Sequence, residues 1–193
     1  SEIATCMANH LSPPLPLQSR FRNRGSFLHI VTIPSSQFHN PAIPSPTMDI
    51  PAIDLTQTFP RSPRDTSIGG YVVAARCVDK CRAVLNGTAG EYHSGCPLDE
   101  VWLDFAGIKY KAFHKFVSSG ADDAAISDWV TKKSKQKKRS QVIAWNNKMR
   151  DYRISKMDMG LQEFLEDYIP ENIPAGKIVR VWFDVYDIEE NRI

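Results

Sequence analysis

Ile68-Gly69-Gly70-Tyr71-Val72-Val73-Ala74-Ala75-Arg76-Cys77-Val78-Asp79-Lys80-Cys81-Arg82-Ala83-Val84-Leu85 is the stretch whose periodicity decides the fold. Val73, Cys77, Cys81 and Val84 recur at four- and three-residue spacing, with Ala74, Val78 and Leu85 beside them, whereas Arg76, Asp79 and Lys80 fall on another face. That is the pattern of a helix laid on a core. The spacing predicts a helix over 68–85, stopped by Asn86-Gly87. Ahead of it, Pro60-Arg61-Ser62-Pro63-Arg64 reads as an extended or turning lead-in, because each proline fixes its own φ and pushes the residue before it out of the helical region.

The same periodicity continues downstream. Pro97 at a first helical position, Asp99 in the first turn and Gly107 as terminator predict a helix from about 98 to 106 that buries Leu98, Val101, Trp102 and Phe105. Further helices are predicted by Tyr110, Phe113 and Val117 before Gly120, and by Ala125, Ile126, Trp129 and Val130 behind the acidic pair Asp122 and Asp123. Val142, Trp145, Met149 and Tyr152 follow Ser140 as an N-cap, and Leu161, Phe164, Leu165 and Tyr168 precede Pro170. Residues 178–188 fit two patterns. Ile178, Val181, Trp182, Val185 and Ile188 fit a helix, while Val179, Val181, Phe183 and Val185 alternate as a strand would. Helix is the reading adopted, since a lone strand leaves its backbone unpaired, and a strand is kept as the alternative. The expected fold class is all-α, a single compact multi-helix domain over 48–193.

A chain of 193 residues, 42% hydrophobic and 24% charged, is long enough for one core and short for two. No run approaches the roughly 18 consecutive apolar residues of a membrane span. Four cysteines at irregular spacing, with no secretory apolar segment ahead of them, point to reduced thiols and a cytoplasmic protein. Residues 1–47 differ from the rest, holding seven of the thirteen prolines, no lysine and one acid. They are expected to be a disordered extension: either a targeting segment that would make the protein organellar, or an artefactual segment upstream of a domain starting near Met48.

Charge divides the chain at the same place. Arg20, Arg22 and Arg24 against Glu2 account for the whole net charge of +2, which leaves a neutral body of 21 basic and 21 acidic residues. A neutral body exerts little long-range pull on nucleic acid or anionic lipid. The run Lys132-Lys133-Ser134-Lys135-Gln136-Lys137-Lys138-Arg139 is read as a solvated turn between helices; nucleic acid is an unexpected partner, because no stacking aromatics interleave with these charges.

Three constellations carry chemistry. Cys96, ahead of Pro97 at a helix N-terminus, sits where the backbone dipole favours thiolate, and His93 lies three residues before it as a candidate base. The competing account is a packed cysteine, with His93 bonding the loop and Asp99 answering the helix dipole. Arg61, Arg64, Arg76, Lys80 and Arg82 are candidates to gather around a small anionic ligand, with Tyr71 and Tyr92 lining the cleft. Here the competing account is a helix surface laced by Arg76–Asp79 and Asp79–Arg82 pairs. Cys77-x3-Cys81 and His93-x2-Cys96 contain zinc-ligand types, but the first pair points into the expected core, so no metal and no cofactor are assigned.

Pro60-Arg61-Ser62-Pro63, Gly69-Gly70-Tyr71, Asp79-Lys80, Arg82-Ala83, Gly90-Glu91-Tyr92, Cys96-Pro97-Leu98-Asp99 and Asp104-Phe105 follow one another in an order that resembles the bacterial family called domain of unknown function 5069. The resemblance spans about 53–193. It implies a compact, mostly helical domain and supplies no reaction, substrate or cofactor. The expected function is therefore a non-enzymatic module that binds a small anionic ligand or a protein partner. The alternative is a thiol-dependent enzyme or redox sensor using Cys96 and His93.

Overall fold

The helix predicted over 68–85 is the axis of the molecule, and it lies deeper than its pattern implies. In the computed structural model, which describes residues 50–193 apart from Lys137, every residue from Tyr71 to Ala83 is buried. The expectations for residues 1–47 lie outside the described residues. Helix α1 spans Ala74–Leu85 and begins six residues later than its periodicity predicts. Residues 68–73 are turns instead, with Gly69 at φ 59° and Gly70 at φ 76°. Val73 also takes a positive φ of 70°, a region disfavoured for a branched side chain; it is fully buried, and its N–H donates to Pro63 O at 2.8 Å. The C-terminus is as predicted, with Asn86 as C-cap and the Thr88 N–H returning to Ala83 O at 2.8 Å.

Around α1 stand α2 (Pro97–Ala106), α3 (Tyr110–Val117), α4 (Asp123–Lys133), α5 (Arg139–Arg150), α6 (Met159–Asn172) and α7 (Trp182–Glu189). Pro97 opens α2 and Gly107 closes it; Leu98, Trp102, Leu103 and Ala106 are buried, while Val101 and Phe105 are half-buried. Asp122 caps α4 by accepting the Ala125 N–H at 2.8 Å, and Asp158 caps α6 by accepting the Leu161 N–H at 3.1 Å. Two boundaries differ from expectation. Ser140 lies inside α5, whose N-cap is Lys138, and α6 continues two residues past Pro170.

Within the ambiguous segment 178–188 the helical reading holds from Trp182, and among the described residues no strand forms there. Val181 forms an isolated antiparallel bridge with Arg153, the Trp182 N–H donating to Tyr152 O at 2.9 Å, and α7 starts at the next residue. Trp182, Phe183, Val185 and Ile188 of α7 are buried. The core they join is rich in aromatic rings: Trp102 packs edge-on to Phe113 with centroids 5.7 Å apart, and Phe105 stacks on Trp145 at 4.7 Å.

In the lysine-rich turn, Lys132, Lys133, Lys135, Lys138 and Arg139 are exposed, as a solvated turn requires. Its backbone is nonetheless tied to the end of α2. The Lys135 N–H donates to Ala106 O at 2.7 Å and Gln136 Nε2 to Phe105 O at 2.9 Å, which satisfies two carbonyls that a helix terminus leaves free. Among the described residues no helix is long and apolar enough to cross a membrane.

Candidate functional site

The arginines nominated by the sequence do gather, but around carboxylates of the chain itself. Arg61 grips Asp79 through Nε and Nη2 at 2.9 and 2.7 Å and reaches Asp123 through Nη1 at 2.7 Å. Arg82 takes the other oxygen of Asp123 at 2.6 Å. Arg64 bridges Asp184, at 2.6 Å, and Asp187. Arg76 holds both oxygens of Glu190, at 2.9 and 2.7 Å, with its guanidinium 4.8 Å from the centroid of Tyr186 and 5.6 Å from that of Tyr92. Tyr92 donates its hydroxyl to Glu190 Oε1 at 2.9 Å, and Arg192 pairs with both Glu190 and Asp187.

The expected Arg76–Asp79 and Asp79–Arg82 surface pairs are therefore replaced by longer-range partners, and the face of α1 predicted to meet solvent is interior. Arg76 and Glu190 are each only 3% exposed at the side chain. Burial alone would push Glu190 towards its neutral form, but hydrogen bonds and charge from Arg76 and Arg192 outweigh it and hold the carboxyl below its ordinary range. Asp123 is likewise held low, burial being overcome by Arg82 and Arg61. For Asp184, the backbone N–H groups of Arg180 and Val181 together with Arg64 overcome the effect of burial. For Tyr92 burial comes first and Glu190 second, and both raise its pKa, so it remains a neutral hydrogen-bond donor.

Cys96 is the N-cap of α2, and its partner is not His93. Lys80 Nζ donates to Cys96 Sγ at 3.0 Å and stands 2.8 Å from Asp99 Oδ1. Asp99 does more than answer a helix dipole: it is fully buried, and its Oδ2 accepts the Gly95 N–H at 2.9 Å, closing the turn before Pro97. His93 is exposed and makes no hydrogen bond to Cys96. Cys77 and Cys81 are buried, and burial pushes the Cys81 thiol up to about 11 and that of Cys77 well above its usual value. Among the described residues no cluster of three or more His, Cys, Asp or Glu is disposed to hold a metal ion.

Tyr71 belongs to a different place. A cleft of about 540 Å³ opens between the turn at Thr66–Tyr71, the end of α4 and the outer face of α5; Thr66, Gly69, Gly70, Tyr71, Thr131, Ser134, Gln136, Arg139, Val142, Ile143, Asn146 and Arg150 line it. Its geometry is set by Asn146, which is buried and clamps the turn at two points. Asn146 Nδ2 donates to Gly70 O at 2.7 Å, and its Oδ1 accepts the Val72 N–H at 3.2 Å. The Gly69 N–H donates to Ser127 Oγ at 3.0 Å, and a Cβ at Gly69 would come within 2.6 Å of Val130 Cγ1; at Gly70 the same direction is open space. Tyr71 and Ser134 share a hydrogen bond of 2.5 Å, and burial raises the tyrosine pKa. Arg150 reaches only Asn147 Oδ1 at 3.2 Å, and among the described residues neither Arg139 nor Arg150 has a carboxylate partner.

A model of the family described as a domain of unknown function, DUF5069, matches residues 57–192. The chain belongs to the DUF5069 family. The matched span takes in all seven helices of the DUF5069 domain, and with them the ion pairs around α1, the Lys80–Cys96 contact and the cleft. Comparison with curated proteins finds no match.

Sequence reasoning missed Asn146, Arg139 and Arg150. Asn146 had a signal: it is a polar residue on the apolar stripe of Val142 and Met149, a position where burial demands hydrogen-bond partners. The two arginines had none, since nothing local separates an arginine facing a cleft from one facing solvent.

Proposed function

We propose that this DUF5069 domain is a non-enzymatic binding module for a small anion, taken up in the cleft between the Gly69–Gly70 turn, α4 and α5. One observation carries the reading: the arginines of the α1 network are neutralised by the chain's own carboxylates, while Arg139 and Arg150 on the cleft have no such partner among the described residues. A guanidinium without a carboxylate partner keeps its paired donors for the oxygens of a phosphate or carboxylate. Hydroxyls of Thr66 and Thr131 add polar contacts, those of Tyr71 and Ser134 being buried against each other, and Val142 and Ile143 offer apolar surface for an organic body.

Thermal denaturation and equilibrium dialysis with inorganic phosphate and with succinate test this. The expected result is a ligand-dependent rise in Tm in the wild-type chain that disappears in the Arg139→Ala/Arg150→Ala double variant. No rise with either anion, or an equal rise in the double variant, would overturn it.

A further inference from the structure

Arg139 and Arg150 are the first and last residues of α5, and both line the cleft. Arg139, Val142, Ile143, Asn146 and Arg150 recur at three- and four-residue spacing, so they share one face of the helix. The helix is 12 residues long, which sets the Cα atoms of the two arginines roughly 16 Å apart at the rise of an α-helix. Their side chains do not close that gap. Helical side chains lean towards the N-terminus, and Arg150 does so onto Asn147 Oδ1 at 3.2 Å, while the same lean carries Arg139 away from it. The stretch of this face between them is apolar where it is open. Ile143 is 46% exposed with Val142 beside it, and Asn146 is buried with its amide spent on Gly70 O and the Val72 N–H. The cleft holds about 540 Å³, in the range of pockets that enclose drug-sized organic molecules; a bare phosphate leaves most of it empty.

We propose, resting on the reading of this cleft as an anion site, that its ligand is an elongated organic dianion with an anionic group at each end and an aliphatic body between. One end is taken by Arg139 and the other by Arg150, and the body lies along Ile143. A guanidinium at each end matches a carboxylate or phosphate group, and the aliphatic side chain between them matches a chain of methylene groups. Two contacts on one ligand reinforce each other only when the spacer spans both sites; a shorter ligand meets one arginine at a time. Phosphate and succinate are therefore weak occupants, held at either end.

The experiment titrates the full chain calorimetrically with phosphate, succinate, suberate, sebacate and decanoate, the last having the chain of sebacate with one charged end removed. The expected result is affinity rising from succinate through suberate to sebacate, with sebacate about tenfold or more tighter than both succinate and decanoate. Either Arg139→Ala or Arg150→Ala should abolish the advantage of sebacate over decanoate, because one charged contact is then left. Phosphate should still bind each single variant. Succinate or phosphate binding without any advantage of sebacate over decanoate in the wild-type chain overturns the elongated ligand and leaves the anion site standing. Loss of phosphate binding in either single variant also overturns it, since both arginines would then hold one anion. No binding of any probe overturns the anion site and this proposal together.

Discussion

On α1, Arg76 gives both terminal nitrogens to Glu190 at 2.9 and 2.7 Å beneath the rings of Tyr92 and Tyr186; at the cleft, Arg150 meets only the amide oxygen of Asn147 at 3.2 Å. The same side chain serves opposite ends in these two regions. An anion arriving at Arg76 would have to displace a buried carboxylate and leave it unpaired, a loss of several kcal/mol by analogy with broken buried pairs, roughly 3–5. At Arg150 no carboxylate of the described residues has to be displaced. Charge count along the sequence does not separate these two kinds of arginine; the partners of each guanidinium do.

Acid should break the first region most severely, because it removes several partners at once. Glu190, Asp123 and Asp184 are held below their ordinary values of 4.5, 3.8 and 3.8, so each contributes stability that is present above those values and lost as pH falls through the lower, folded ones. Tm measured from pH 7 downward should hold until about pH 4.5 and then fall steeply. A flat profile to pH 3 would mean that these pairs contribute nothing.

At neutral pH the largest single-site effect belongs to Glu190→Ala. It strands a fully buried Arg76, at a cost of about 3–5 kcal/mol in urea denaturation. A loss below about 1 kcal/mol would place the pair among surface-like contacts. Next comes Asn146→Leu, which leaves Gly70 O and the Val72 N–H without their buried partner; about 1–3 kcal/mol should be lost, and anion binding at the cleft with it. Stability loss with unaltered binding would separate the clamp from the cleft.

The two glycines of the turn sharpen the comparison further. Gly70→Ala should cost only the left-handed strain of about 1–2 kcal/mol, and Gly69→Ala more than that, since its Cβ also meets Val130. Equal costs would show that Val130 yields freely. The smallest stability effect is expected from Arg139→Ala/Arg150→Ala, within about 0.5 kcal/mol of wild type by chemical denaturation, because among the described residues neither stands in a charge pair that its loss would strand. That variant should lose anion binding and keep its fold, the reverse of what is expected for carboxylates of the α1 network.

Much of the fold was legible because its punctuation is local. Pro97, Gly107 and Asn86-Gly87 act through their own backbone restrictions, so the ends of α2 and the C-terminus of α1 could be read from neighbours alone. Residues 178–188 looked ambiguous because they are extended at Val181 and helical from Trp182. The interior position of the polar face of α1 was not legible. Periodicity shows that Arg76, Asp79 and Lys80 share a side, but what covers that side arrives from far away: Glu190 lies 114 residues beyond Arg76. The partner of Cys96 was hidden in the same way. His93 is close in sequence, yet Lys80, 16 residues off on another helix, is the group at the sulfur. Asn146 differed: as a polar residue on an apolar stripe it carried a local signal, which sequence reasoning missed.

Val73, with its φ of 70°, fixes where α1 begins, and it does so against its own preference. A branched residue adopts that backbone only where surrounding structure imposes it, here through the Pro63 carbonyl and a sealed side chain. The boundary of the central helix is thus written in tertiary contacts. Cut free as a peptide, 68–85 has no reason to stop its helix at Ala74, and short isolated helices are marginal in water in any case. In the order of folding, the C-terminal turns of α1 are expected to consolidate ahead of its first turn, which waits for the proline lead-in. The Gly69–Gly70 turn, and the cleft with it, would then be among the last features to close.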